Sequence, residues 1–138
     1  MKNKLTELKT WFENLDENSL KRISEFYGND CFFKDPFNEI KGVSKIENIF
    51  THMFTNLEKP RFEFIDTIDG DDSSFLTWDF IFLIKNKEYK IHGSSHIKWS
   101  NDKVIYHRDY WDVGEELFLK IPVLKSLYSF FAKRFASV

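Results

Sequence analysis

The chain has 138 residues, room for one domain with a real core, and is 42% hydrophobic, 30% charged and 18% aromatic, with 16 Phe. A formal net charge of −2 excludes the basic footprint of a nucleic-acid-binding domain. Cys31 is the only cysteine, which excludes an intramolecular disulfide and suits a reducing, cytoplasmic compartment, and no apolar run is long enough to span a bilayer.

Met1-Lys2-Asn3-Lys4 leads into Leu5 and Leu8 at helical spacing rather than into an apolar run, so no signal peptide is expected. Leu5, Leu8, Trp11, Phe12 and Leu15 predict a first helix. Asp16 reads as the N-cap of a second, with Leu20, Ile23, Phe26 and Tyr27 on its stripe and Gly28-Asn29-Asp30 ending it. Cys31, Phe33, Asp35 and Phe37 alternate with Phe32, Lys34 and Pro36 as a short strand, and Pro36 confines it to an edge or an end. After Gly42, Ser44 and Glu47 have capping-box spacing, and Ile46, Ile49, Phe50, Met53, Phe54 and Leu57 predict a third helix.

From Arg61 the period changes to two. Strands are expected over Arg61–Ile68, Phe75–Ile84, Glu88–Trp99 and Lys103–Asp112, joined by short turns in an antiparallel meander. In the last strand Ile105, His107, Asp109 and Trp111 share one face, with Tyr106, Arg108 and Tyr110 on the other. Alternate residues on a strand lie about 7 Å apart, so an imidazole and a carboxylate can meet there. Ile81 and Leu83 are expected on the outer sheet face as an apolar patch. The tail 114–138 carries an apolar stripe with Lys120, Lys125, Lys133 and Arg134, broken by Pro122. Docking on the protein body or on a second subunit is expected rather than membrane association.

This element order, with Phe33-Lys34-Asp35-Pro36, Gly42 and its helix, and His107-Arg108-Asp109-Tyr110-Trp111, resembles the nuclear transport factor two-like superfamily, which includes the SnoaL-like proteins and the ketosteroid isomerases. The resemblance covers roughly Leu5 to Trp111. It implies one α+β domain over residues 1–138. The fold would be a cone: a strongly curved antiparallel sheet wrapped around the N-terminal helices, with 114–138 as a C-terminal helical extension. Asp35 matches the position of the ketosteroid isomerase base, whose oxyanion hole is a tyrosine and a protonated aspartate. Those two positions fall on Trp11 and Ser95 in this chain. The resemblance also turns Trp78, Phe80, Phe82, His107, Asp109 and Trp111 into a pocket.

Each candidate has two readings. Asp35 is a pocket base or a turn-capping carboxylate before proline. His107 is a general acid–base with Asp109 orienting it, or the two form a structural hydrogen bond. Trp11, Phe54, Trp78, Phe80, Ser95 and Trp111 would line the ligand site or fill the core. Arg108 and Asp112 read as an ion pair, and His92, His96 and His52 as outward-facing. No metal or cofactor is expected, since no Gly-rich phosphate loop is present and only one histidine points inward. The function expected is a cofactor-independent isomerase, hydratase or cyclase acting on a small apolar carbonyl compound, in a homodimer joined through the outer sheet face. The alternative is a non-catalytic small-molecule-binding or protein-interaction module of the same fold.

Overall fold

The computed structural model describes residues 2–120 together with 125, 126, 129, 130 and 133. Its elements are α1 (Lys2–Glu13), a 3-10 helix (Ser19–Glu25), β1 (Tyr27–Lys34), β2 (Glu39–Lys41), α2 (Val43–Asn56), β3 (Glu58–Asp69), β4 (Ser73–Ile84), β5 (Lys87–Ser100), β6 (Lys103–Tyr110), α3 (Val113–Glu116) and a last 3-10 turn (Phe118–Lys120). The strands form one curved, unclosed sheet in the order β2-β1-β6-β5-β4-β3, and α1 and α2 pack on one face of it. This is the α+β cone expected from the element order. No helix of the described residues is long and apolar enough to cross a membrane.

Helical spacing brings Leu5, Leu8 and Phe12 of α1 and Ile46 and Phe50 of α2 onto the same core as Leu76, Trp78 and Ile97 of the sheet. Leu8 and Ile46 are completely buried, each contributing about 1.5–3 kcal/mol relative to exposure. Cys31 is buried as well, and desolvation pushes its thiol up to about 12.

Four of the five strand pairs are antiparallel, but β1 and β6 run parallel. The sheet is therefore mixed. A parallel pair needs a long crossover, and everything from β2 to β5 lies between these two strands. The same pairing corrects the second predicted helix. Tyr27 pairs with Val104, so Tyr27 and Gly28-Asn29-Asp30 belong to β1, where a register shift before Phe32 absorbs the extra residues. The helix before them is a 3-10 segment. Its N-cap is Asn18 rather than Asp16, which braces the first turn from two residues earlier: the Asp16 carboxylate accepts the Ser19 N–H at 2.7 Å while its own N–H donates to Ser19 Oγ at 2.9 Å. The Ser19 backbone N–H is the main cause of the lowered pKa of Asp16.

The short strand β2, absent from the sequence reading, pairs with β1 through the turn after Lys34. Gly42 then caps α2 with φ +115°, a conformation only glycine enters readily, and its N–H donates to Cys31 O. Helix entry at Gly42 puts Ser44 inside the first turn, so the Ser44–Glu47 box is not formed. A second bulge, between Lys98 and Trp99, sets Lys98 opposite Tyr106 but Trp99 opposite Val104. Val104 is completely buried and Ile105 is 45% exposed, the reverse of strict alternation, while His107 and Asp109 keep their inward face.

Residues 87–93 of β5 extend beyond the end of β6. The free edge is covered by the segment after β6: Glu116 accepts the His92 N–H at 2.7 Å and Lys120 donates to Lys90 O. Asp112 caps α3 through the Glu115 N–H, so it does not pair with Arg108, whose guanidinium lies 4.6 Å over the Tyr110 ring. Most of the predicted tail, including Pro122, lies outside the described residues.

Candidate functional site

The parallel pairing of β1 and β6 places Tyr27 and Phe33 beside the strand that carries His107. His107 is 3% exposed and enclosed edge-on by Phe33 and Phe12, with ring centroids 4.9 and 6.2 Å away. Both of its ring nitrogens are engaged. Nδ1 is 2.7 Å from Tyr27 Oη, and Nε2 is 2.6 Å from Asp109 Oδ1. The expected pairing of His107 with Asp109 is therefore present. Ser95, opposite Asp109 in the register, donates to the same Oδ1 at 2.5 Å, and Trp78 Nε1–H donates to Ser95 Oγ at 2.8 Å. A continuous polar chain thus runs Tyr27–His107–Asp109–Ser95–Trp78 through an aromatic core.

Asp109 is the member of this chain that meets open space. Its side chain is 17% exposed, and its second oxygen takes no hydrogen bond among the described residues. That oxygen is not a sealed, unsatisfied atom, because no such atom exists among the described side chains. Asp109 borders a cavity of about 420 Å³ between α2 and the sheet. Phe33, Met53, Phe80, Phe82, Tyr89 and Trp111 supply apolar walls, and Leu117 reaches it from beyond α3. A volume of roughly 300–1,000 Å³ is that of a small-molecule site. A second space of about 20 Å³, the size of one water, adjoins Ser95, His107 and Asp109 at the cone floor.

Asp35 also borders the large cavity. Its Oδ1 accepts the backbone N–H groups of Phe37 at 2.8 Å and Asn38 at 2.7 Å, and Asn38 Nδ2 reaches both its oxygens. This is the turn-capping geometry, so Asp35 shapes the β1–β2 hairpin while facing the cavity.

The expected ligand contacts divide. Phe80 and Trp111 line the large cavity, and Trp78 and Ser95 line the small space at its floor. Trp11 does not border either. Its indole N–H donates to Ser19 O at 2.8 Å, its ring stacks on Phe26, and it faces a surface hollow between α1 and the 3-10 helix. Phe54 packs against the core without bordering the cavity. Neither Trp11 nor Ser95 is free to serve as an oxyanion donor as the sequence suggested, since Ser95 gives its proton to Asp109.

Tyr27 is the site residue the sequence reading missed. Its burial is the chief cause, followed by the nearby Cys31 and Asp109, of a phenol pKa well above the ordinary value. The available signal was one polar-tipped ring on an otherwise apolar stripe, since a buried tyrosine hydroxyl needs a partner. Among the described residues no three His, Cys, Asp or Glu side chains converge as metal ligands.

Residues 8–107 match the model of the SnoaL-like domain. The chain belongs to the SnoaL-like domain family. Three solved structures share the fold of this SnoaL-like domain. An NTF2-like protein of unknown function from Burkholderia pseudomallei is 13% identical, with a TM-score of 0.72 over 83% of this chain and 95% of the other. A LEH-like epoxide hydrolase from M. tuberculosis is 12% identical, with a TM-score of 0.71 over 95% and 94%. A putative SnoaL-like polyketide cyclase from Jannaschia sp. is 7% identical, with a TM-score of 0.69 over 80% and 84%. No curated protein sequence matches the chain.

Proposed function

We propose that this SnoaL-like domain is a cofactor-independent enzyme of the isomerase, hydratase or cyclase type, moving a proton on a small apolar carbonyl compound. The observation that carries this reading is the Asp109 carboxylate at the wall of an aromatic cavity, held on one oxygen by His107 and Ser95, with no hydrogen bond to the other among the described residues. Asp109 would transfer the proton. His107, with both nitrogens engaged, holds Asp109 rather than meeting the substrate, and Asp35 is the second carboxylate at the cavity wall. Two of the three structures named above carry enzyme names, a putative polyketide cyclase and a LEH-like epoxide hydrolase, in keeping with an acid–base pocket. The competing reading, a non-catalytic binding module, is favoured by the saturation of Asp35 within its turn.

Proton exchange separates the two readings. Cyclic ketones and enones incubated with the protein in D₂O are expected to exchange α-protons, followed by NMR. Asp109→Asn should slow exchange by about 10²–10⁴-fold, the span of general acid–base catalysis, with ligand affinity retained. Binding of these compounds without exchange in the wild type would establish the carrier instead.

We also propose that the domain is a cytoplasmic homodimer joined through the outer sheet face. The expected Ile81–Leu83 patch is not what that face offers, because Ile81 is buried and Leu83 half-buried. An aromatic row crosses it instead: Phe75 against His96, His96 against Tyr106, and Tyr106 stacked on Phe32, with Phe75 37% and Tyr110 43% exposed. Such a patch fits an isologous contact. Light scattering should give about 33 kDa, twice the 16.6 kDa chain, and Phe75→Glu with Tyr110→Glu should halve it. A wild-type mass of one chain at micromolar concentration removes the dimer.

A further inference from the structure

We propose that Tyr27 is a positioning residue whose hydroxyl fixes the direction in which the buried chain donates its hydrogen bonds, so that Asp109 stands as a carboxylate with one oxygen saturated and the other open to the cavity. The inference rests on the reading of Asp109 as the proton-transfer group, but its test needs no substrate.

Two directions fit the distances around a neutral His107, and an imidazolium would share the Nδ1–H to Tyr27 Oη bond of the second. In the first, Tyr27 donates to Nδ1, and Nε2–H donates to the Asp109 carboxylate. In the second, Nδ1–H donates to Tyr27 Oη, and a protonated Asp109 donates to Nε2. The other end of the chain is not ambiguous. An indole N–H only donates, so Trp78 gives its hydrogen to Ser95 Oγ and Ser95 gives its own to Asp109 Oδ1.

The second direction fails at Tyr27. The residue is 1% exposed, and among the described residues its hydroxyl meets only His107 Nδ1. If Oη accepted from Nδ1–H, its own O–H would be left in the core with no acceptor, which carries the full desolvation cost of the group. The second direction also asks Oδ1 to hold a proton and accept one from Ser95 at the same time. In the first direction every donor has an acceptor. Tyr27 at one end and Trp78 at the other both donate inward, and the two runs converge on Oδ1. Burial keeps the phenol protonated and therefore able to donate.

The consequence is a division of labour inside one carboxylate. Oδ1 is held by two short hydrogen bonds from residues on β5 and β6, while Oδ2 is left for whatever enters the cavity. Tyr27 does not touch that space: it borders neither the cavity nor the water-sized pocket. It acts through His107.

The test is long-range ¹H–¹⁵N NMR of ¹⁵N-histidine-labelled protein without ligand. In the wild type His107 should carry its proton on Nε2, with Nδ1 unprotonated and shifted as a hydrogen-bonded acceptor. In Tyr27→Phe the Nδ1 resonance should move toward that of a free lone pair, while Phe54→Leu, a core change away from the chain, should leave it in place. A wild-type His107 that carries a proton on Nδ1, alone or together with Nε2, overturns the proposal, because Tyr27 then cannot donate to it. An Nδ1 resonance unchanged in Tyr27→Phe also overturns it. If Tyr27→Phe does not fold, the wild-type tautomer decides alone. Catalysis is measured independently of both outcomes, by the α-proton exchange of Asp109→Asn.

Discussion

Replacing His107 by Ala is expected to cost about 4 kcal/mol of folding stability, measured by chemical denaturation. Two effects add. The imidazole is packed against Tyr27, Phe33 and Phe12, so its removal leaves a cavity among rigid rings that cannot collapse onto one another. The Tyr27 hydroxyl also loses its only partner among the described residues, and Asp109 Oδ1 loses one of two donors. A buried polar group left unpaired costs roughly 1–3 kcal/mol. A double-mutant cycle isolates the second effect. Tyr27→Phe should cost about 1–2 kcal/mol in the wild type, where it orphans Nδ1, and close to nothing in His107→Ala, where no lone pair remains to orphan. Equal costs in the two backgrounds would mean that the Tyr27–His107 bond does not form in solution.

Much of this site was legible because His107 and Asp109 are two residues apart on a strand, and the pleat alone puts such residues on one face. The helices α1 and α2 were equally readable, since each buries a stripe at helical spacing. What escaped depended on contacts distant in sequence. Tyr27 sits at the end of a helical stripe and joins a strand only because β6, nearly eighty residues later, offers it Val104. Ile105 faces outward because one residue is inserted in the β5–β6 ladder, and bulges leave little trace in an alternating pattern. Trp11 was assigned to the ligand by analogy of position, but the Ser19 carbonyl captures its N–H from the next turn of chain. Asp35 shows a case where two readings meet: the rule that Asp before Pro caps a turn describes its hydrogen bonds, and the family position describes its place at the cavity wall.

Gly93→Ala is expected to destabilise the domain by about 3 kcal/mol, although it adds a single methyl group to a strand residue. Gly93 lies opposite Trp78 in the β4–β5 register, and the indole lies across it. A Cβ built there would stand 2.5 Å from Cη2 and 2.9 Å from Cζ2 and Cζ3 of that ring, closer than any real contact. The clash is with a rigid ring held on its other sides, by Ser95 through Nε1 and by Phe62 edge-on at 5.9 Å. Trp78 must therefore move, and the movement breaks its hydrogen bond to Ser95. Ser95 then loses the donor that directs its own proton to Asp109, so the change reaches the candidate site without touching it. Shrinking the obstacle should restore stability: Trp78→Phe, destabilising by itself through lost packing, should partly rescue Gly93→Ala, giving a double mutant more stable than the sum of the two changes. Thermal melting reads the outcome, with a drop on the order of 8 °C expected for Gly93→Ala alone. A Gly93→Ala protein that melts with the wild type would show that the indole is not seated over Gly93, and with it would go the fixed orientation of Ser95.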